Sequence, residues 1–581
     1  MYNNLIVKDR FSGLFAILDS ESGYLYNLIS YYCDVVNITH QRGLLNMFSK
    51  KKKTIERLKK HWGRLPQQEY SDDQLKALKY YYTNHINKEN DIDDITWNDL
   101  DMDNFYMLIN NTCSSMGEEY LYSMLRKPYF DPETKEERER VMQYFDHNET
   151  VRYEIMYILS SIGKIKTISL YEYLNRLGGV ETEQSTKHVL MNLCYPLSVL
   201  IMLGNLGTGL LCLFATIIYS VITYFSGKAK IDSYYSVITT LMRTLKASEK
   251  MEKLNIPELN EYQDTIRSAS GRLKAFHKGG FVVTALNGSG SPLDLMLDYF
   301  RILTHADLIL FYRMLRIYRN ETQSLNQLYE TFGFLDSMIS CASFRRILPV
   351  WCKPELVNQE KPFLELDDIY HPMIDNAVAN SIYTNASVLL TGSNASGKST
   401  FIKTVAINAI LSQTINTAIC KRYRASFFRI ASSMALTDNL LGNESYYIVE
   451  IKSLKRILDA SNEAVPMLCF IDEVLRGTNT LERIAASASI LSTMAQNNCI
   501  CFAATHDLEL TSILEDYYKN YHFQEKITEG DILFDYTLYE GKSNSRNAIK
   551  LLELLGYPQE IITNSQEACE AFSKLGIWKK V

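Results

Sequence analysis

The sequence predicts a mainly parallel α/β domain in its last third, preceded by a long-helix, all-α region. Three observations carry this. Beyond about residue 350, short apolar runs (SVLLTG, MLCFID, CICFAATH) alternate with helical stretches, the rhythm of parallel strands and their crossover helices. From Trp97 to about Asn175, and again from Ser233 to about Cys341, the pattern is instead amphipathic and helically periodic. Between those two helical halves, the run from Val189 to Gly227 contains no Asp, Glu, Lys or Arg.

A chain of 581 residues is too long for a single core, so several domains are expected. The pattern divides it into a helix-leaning N-terminal region of unknown role (1–90), a helical region (91–350) interrupted by an apolar hairpin (189–225), an α/β domain (351–570) and a short tail (571–581). The formal net charge of −6 gives no global argument for nucleic acid. The basic run SKKKKTIERLKKHWG (Ser49 to Gly63) reads either as a solvated helix face or as a surface for anionic lipid or nucleic acid. The 11 cysteines are scattered, and only Cys499 and Cys501 lie close together. That C-x-C lacks the second pair a zinc site needs, so free thiols in a reducing compartment are expected. No basic segment leads into an apolar core at the N-terminus, and no cleavable signal is expected.

The uncharged run is about twice the ~20 residues that one membrane span needs. Gly204-Asn205-Leu206-Gly207 supplies turn chemistry in its middle, which makes two antiparallel helices the better fit. Lys187 precedes the run and Lys228 and Lys230 follow it, so both ends fall on one positive, cytoplasm-facing side. The other reading is a buried helical hairpin in a soluble core.

Gly392-Ser393-Asn394-Ala395-Ser396-Gly397-Lys398-Ser399 fits G-x-x-x-x-G-K-[ST] without a mismatch, with a strand before it and a helix after it. Its glycines let backbone N–H groups turn towards a phosphate, and the helix N-terminus adds a favourable dipole. Lys398 is expected to reach the β- and γ-phosphates of ATP, and Ser399 to ligate Mg²⁺. Downstream, the strand MLCFID ends in Asp472-Glu473. Asp472 is expected in the magnesium shell and Glu473 beside the attacking water. A further strand ends at Thr505-His506, where His506 is expected to contact the γ-phosphate.

In this order and spacing, LLTGSNASGKST, IDEVLRGTNTLERIAASA and ATHDLEL resemble the ATPase domain of the MutS family. Upstream, LDMDNFYMLINNTCSSMGEEYLYSMLRKPYFD and YETFGFLDSMISCASF resemble the outgoing and returning parts of that family's helical core and lever domain. The resemblance runs over about 91–570. It implies an ABC-like P-loop ATPase domain and a lever domain. Gly392, Ser393, Asn394, Ala395, Ser396, Gly397, Lys398, Ser399 and Thr400 would cradle phosphate and metal. Ser445, in NLLGNESYYIVEI, would reach the nucleotide of a partner subunit, implying a homodimer with composite sites. Tyr536 would lie against adenine.

Three departures stand out, one of them YYIVE after Ser445 in place of the family's more usual S-T-F-M-x-E pattern. Leu475 replaces the family's usual Gly, and Ala377 stands where an aromatic is common. Residues 1–90 are too short for a mismatch-reading domain plus a connector, and they contain no Phe-x-Glu wedge. Where DNA-binding relatives carry a clamp, this chain has the uncharged hairpin. The expectation is a dimeric, Mg²⁺-dependent ATPase held in a membrane by 189–225, its ATPase domain facing the cytoplasm. Two rival readings stay open. One is a mismatch-repair or recombination-type ATPase binding mismatched or branched DNA, which no basic surface supports. The other is a nucleotide-gated tether.

Overall fold

The computed structural model describes residues 49–165, 168–179, 184–274, 292–393, 396–434, 446–476, 478–528, 531–543, 548–576 and 578. The chain divides into two units, Met1–Lys60 and His61–Val581. In the first, the described residues 49–60 are helical. Everything below concerns the second.

Its N-terminal part is helical, as the periodicity predicts. Helix α1 (Asp94–Asp99) leads to α2 (Ser115–Leu125), which starts where the Ser114 side chain accepts a hydrogen bond from the Gly117 amide. Helix α3 (Pro132–His147) begins with Pro behind an Asp131 cap, the arrangement that suits a first turn. The returning helix, α8 (Thr322–Arg345), is buried along almost its whole length against α2. Asp336 on α8 accepts from the Cys113 amide at 2.9 Å and from the Ser114 amide and hydroxyl at 2.9 and 2.6 Å. Burial pushes its carboxyl up to about 6 even against those donors. Outgoing and returning segments are thus tied by a polar clasp inside an apolar packing.

The uncharged run forms two helices, α4 (Gln184–Gly204) and α5 (Leu206–Ile231). Asn205 closes the turn by accepting from the Gly207 and Thr208 amides. Both helices are long and apolar enough to cross a membrane. The core-hairpin reading does not match what is seen: Leu190, Leu203, Leu211, Phe214, Ile222 and Phe225 are exposed, Leu203 by 83%. The foot of the hairpin is polar. Asn192 donates to the Thr304 carbonyl at 2.6 Å, at the end of α6 (Pro292–Thr304). Tyr224 donates to Asp307 at 2.9 Å, at the start of α7 (Ala306–Asn320), and His188 Nδ1 meets His305 Nδ1 at 2.7 Å.

The C-terminal part holds strands β1 (Glu355–Val357), β2 (Leu364–Ile369), β3 (Asn380–Thr384), β4 (Ser387–Thr391), β5 (Arg422–Ser426), β6 (Arg429–Ser433), β7 (Met467–Asp472), β8 (Cys499–Ala504), β9 (Tyr518–His522), β10 (Glu525–Thr528), β11 (Asp531–Phe534) and β12 (Tyr539–Glu540). The six-stranded sheet runs β12-β9-β4-β8-β7-β6, with all but β12 parallel. Its central strands are buried, which is why they read as unbroken apolar runs. A second, mixed sheet, β1-β5-β2-β3, lies outside the expected parallel pattern.

Helix α9 (Lys398–Thr414) leaves β4 and ends against the helical region. There Tyr129 donates to the Ser412 carbonyl at 2.7 Å, and Arg345 to the Asn416 carbonyl at 2.7 Å. Glu139 takes Arg345 at 2.7 Å and the Asn416 amide group at 2.7 Å. A second seam joins α1 to β6, where Asp99 accepts from the Ser432 hydroxyl at 2.7 Å and the Met434 amide at 2.9 Å.

Candidate functional site

Parallel pairing of β4, β8 and β7 brings their C-terminal ends side by side, the place where open α/β sheets bind ligands. The registers interlock: the Thr505 amide donates to the Leu390 carbonyl at 2.9 Å, and the Glu473 amide to the Ala504 carbonyl at 3.0 Å. The loop after β4, the Asp472-Glu473 pair and His506 therefore converge on one cleft of about 560 Å³.

Glycines shape the loop. Gly392 has φ 144, and a Cβ there would lie 2.7 Å from the Phe523 carbonyl oxygen. Gly397 has φ 106 and carries the Tyr536 ring so close that a Cβ would come within 3.2 Å of its Cδ1. Only glycine satisfies both demands. Lys398 is buried, and its Nζ donates to the Gly392 and Ser393 carbonyls, each at 2.8 Å. Burial pushes the Lys398 ammonium below its ordinary value, opposed by Asp472, Glu473 and Glu525. Ser393 donates its hydroxyl to Glu525 at 2.8 Å. Ser396 Oγ is buried without a hydrogen-bond partner among the described residues. Ser399 and Thr400 stand exposed in the first turn of α9, where the helix dipole is positive. This donor set fits a phosphate with its cation: a bent backbone, a helix N-terminus, an ammonium, a Ser hydroxyl and the Asp472 carboxylate.

Glu473 sits in left-handed backbone (φ 58), and both its oxygens are engaged. Oε1 lies 3.1 Å from His506 Nε2, and Oε2 lies 2.6 Å from Arg476 Nε. Burial, then the Lys398 charge, push His506 below its ordinary value, with Glu473 pulling the other way.

Tyr536 is half-exposed at the rim, also in left-handed backbone (φ 51). Asn380 fixes it: its Nδ2 donates to the Tyr536 carbonyl at 3.0 Å, and its Oδ1 accepts from the Leu538 amide at 2.7 Å. Gly392, Ser393, Ser396, Gly397, Lys398, Ser399, Thr400, Asp472, Glu473, His506 and Tyr536 all border the cleft or its loop. Asn394, Ala395 and Ser445 lie outside the described residues. Sequence reasoning gave no site role to Arg476 or to the wall formed by His371, Ile374 and Val378. Ala377 lies on that wall too.

Residues 388–573 match the family model described as MutS domain V. The "DNA mismatch repair protein MutS" of Thermus thermophilus is 27% identical over 208 residues, 35% of this chain and 25% of that protein. The Natronomonas pharaonis protein of the same name is 27% identical over 360 residues, 56% of this chain and 41% of that one. The Thermotoga sp. protein is 22% identical over 528 residues, 80% of this chain and 63% of its own length. The chain therefore spans between a quarter and less than two-thirds of these relatives. A domain V match over the cleft-bearing sheet, and a relative whose similarity extends over most of the chain, together support a MutS-family protein.

Proposed function

We propose that this chain is a MutS-like ATPase that binds and hydrolyses ATP in a homodimer and carries the resulting motion along its helices to an apolar, membrane-held tip. The observation that carries the reading is the convergence of Lys398, Glu473 and His506 on one cleft at the ends of three adjacent parallel strands. We divide the chain accordingly into the N-terminal region 1–90, a helical core and lever region 91–350, an ABC-like P-loop ATPase domain 351–570 and the tail 571–581.

In this reading Lys398 leaves the Gly392 and Ser393 carbonyls and reaches the β- and γ-phosphates, while Ser396 and the loop amides hold the phosphate oxygens. Asn394 and Ala395 belong to the same cradle. Ser399 and Asp472 would hold Mg²⁺, which when bound neutralises phosphate charge. Glu473 orients the attacking water, His506 donates towards the γ-phosphate, and Tyr536 covers the base. Ser445 would complete the partner subunit's site.

The bonds that fasten the end of α9 to Tyr129, Glu139 and Arg345 give the motion a path into the helical region. The hairpin of α4 and α5 would enter the membrane from the cytoplasmic side, consistent with Lys187, Lys228 and Lys230 at its base. Its exposed leucines and phenylalanines support this, since water is a poor solvent for them.

Steady-state turnover of Mg²⁺-ATP by the full chain is the test. Lys398→Ala is expected to abolish it with the fold retained by circular dichroism, and Glu473→Gln to slow it at least tenfold while ATP still binds. Undiminished turnover in Lys398→Ala would remove the site. The names of the relatives favour a second reading, an ATPase that binds mismatched or branched DNA. Affinity for such DNA that falls steeply with salt would support it.

A further inference from the structure

The Asp472-Glu473-Val474-Leu475-Arg476 turn has an anchor outside the cleft. Leu475 is buried and, like Glu473, left-handed (φ 58), a conformation that costs an L-residue energy unless something holds it. What holds it is Glu450, on helix α10 (Tyr446–Ala460). Glu450 is 3% exposed. Its Oε1 accepts from the Leu475 amide at 2.6 Å and, more weakly, from the Arg476 amide at 3.4 Å. Among the described residues its Oε2 is buried with no hydrogen-bond partner, so the hydrogen bonds seen for this carboxylate are those to the turn.

From that fixed turn, Arg476 reaches back over the cleft. Its Nε lies 2.6 Å from Glu473 Oε2, and its Nη2 donates to the Asp472 carbonyl at 3.1 Å. A carboxylate with one oxygen 2.6 Å from a guanidinium nitrogen and the other 3.1 Å from an imidazole nitrogen is poorly placed to take a proton from water or to turn towards one. The contacts form a continuous line from α10 through Glu450, two backbone amides and Arg476 to Glu473.

We propose that Arg476 holds Glu473 in a resting pair, and that Glu450 makes this pair depend on where α10 sits. A shift of α10 draws Glu450 from the Leu475 amide, the turn relaxes, Arg476 swings off, and Glu473 is released to the water. Arg476 and Glu450 are positioning residues, and the consequence is a slow basal turnover. The inference rests on reading the cleft as an ATPase site.

The test uses the full chain, steady-state ATP turnover, and affinity for a fluorescent ATP analogue. Arg476→Gln, at a partly exposed side chain, is expected to raise kcat at least threefold with KM and analogue affinity within twofold. Glu450→Ala is expected to raise kcat likewise, and Glu450→Gln, which keeps an acceptor oxygen, to fall between it and the wild type. Adding Leu475→Gly to Glu450→Ala is expected to bring kcat back down, because glycine holds the turn without an anchor. A kcat in Arg476→Gln equal to or below the wild-type value overturns the resting pair while leaving the ATPase reading intact. A wild-type chain that does not bind the analogue defeats both.

Discussion

At the residue scale, the rim tyrosine shows how one side chain depends on a distant one. Tyr536 covers Gly397 only because Asn380, more than a hundred residues earlier, grips the backbone on both sides of it. Aromatic stacking on a base contributes about 1–3 kcal/mol, so Tyr536→Ala is expected to raise KM for ATP roughly tenfold with kcat nearly unchanged. Tyr536→Phe keeps the ring and is expected to stay near wild type in the same assay. Asn380→Ala, which loosens the grip, is expected to give an intermediate KM. Lys398, Glu473 and His506 were legible because each sits in a short local pattern next to an apolar strand. Tyr536 was legible only through family resemblance. Arg476 and Glu450 were not legible, because their roles follow from a left-handed backbone at Leu475 that no local rule assigns to leucine.

At the scale of elements, the apolar hairpin and the sheets make opposite points. The lack of charge from Val189 to Gly227 and the Asn205 turn were sufficient to draw α4 and α5. The polar foot was invisible, because Asn192, His188 and Tyr224 find partners on α6 and α7, some eighty or more residues away. Replacing 189–225 with a short Gly/Ser bridge is expected to move the chain from carbonate-washed membranes to the soluble fraction. An intact chain already soluble after that wash would count against membrane insertion. Among the strands, the parallel set was readable from buried apolar runs. The mixed sheet was not: β5 pairs with β1 and β2, over sixty residues earlier in the case of β1, and only tertiary pairing decides that.

At the scale of the whole molecule, the seam between α9 and the helical region fastens the α/β sheet to the helices. Burial acts to raise the Glu139 carboxyl, but Arg345 first, then Lys353 and Gln143, outweigh it and hold it down at about 2. A carboxylate with a depressed value stabilises the fold above its unfolded value of 4.5, and that contribution fades as pH falls towards about 2. Glu139→Gln is therefore expected to lower the melting temperature by several degrees at pH 7, and the gap from wild type to narrow steadily between pH 5 and pH 3. A gap that is constant with pH in thermal melts would show that the charge of Glu139 contributes nothing to the seam.

The bonded foot of the hairpin has a mechanical meaning. Asn192, His188 and Tyr224 bond α4 and α5 to the segments beside them, and under the proposed function these bonds stiffen the joint. An arm with a free wrist could rotate beneath a stationary hand, whereas a welded one must tilt the hand whenever it turns. Under the proposed function, any rocking of the helical arm would then be felt by whatever surrounds the fingertips.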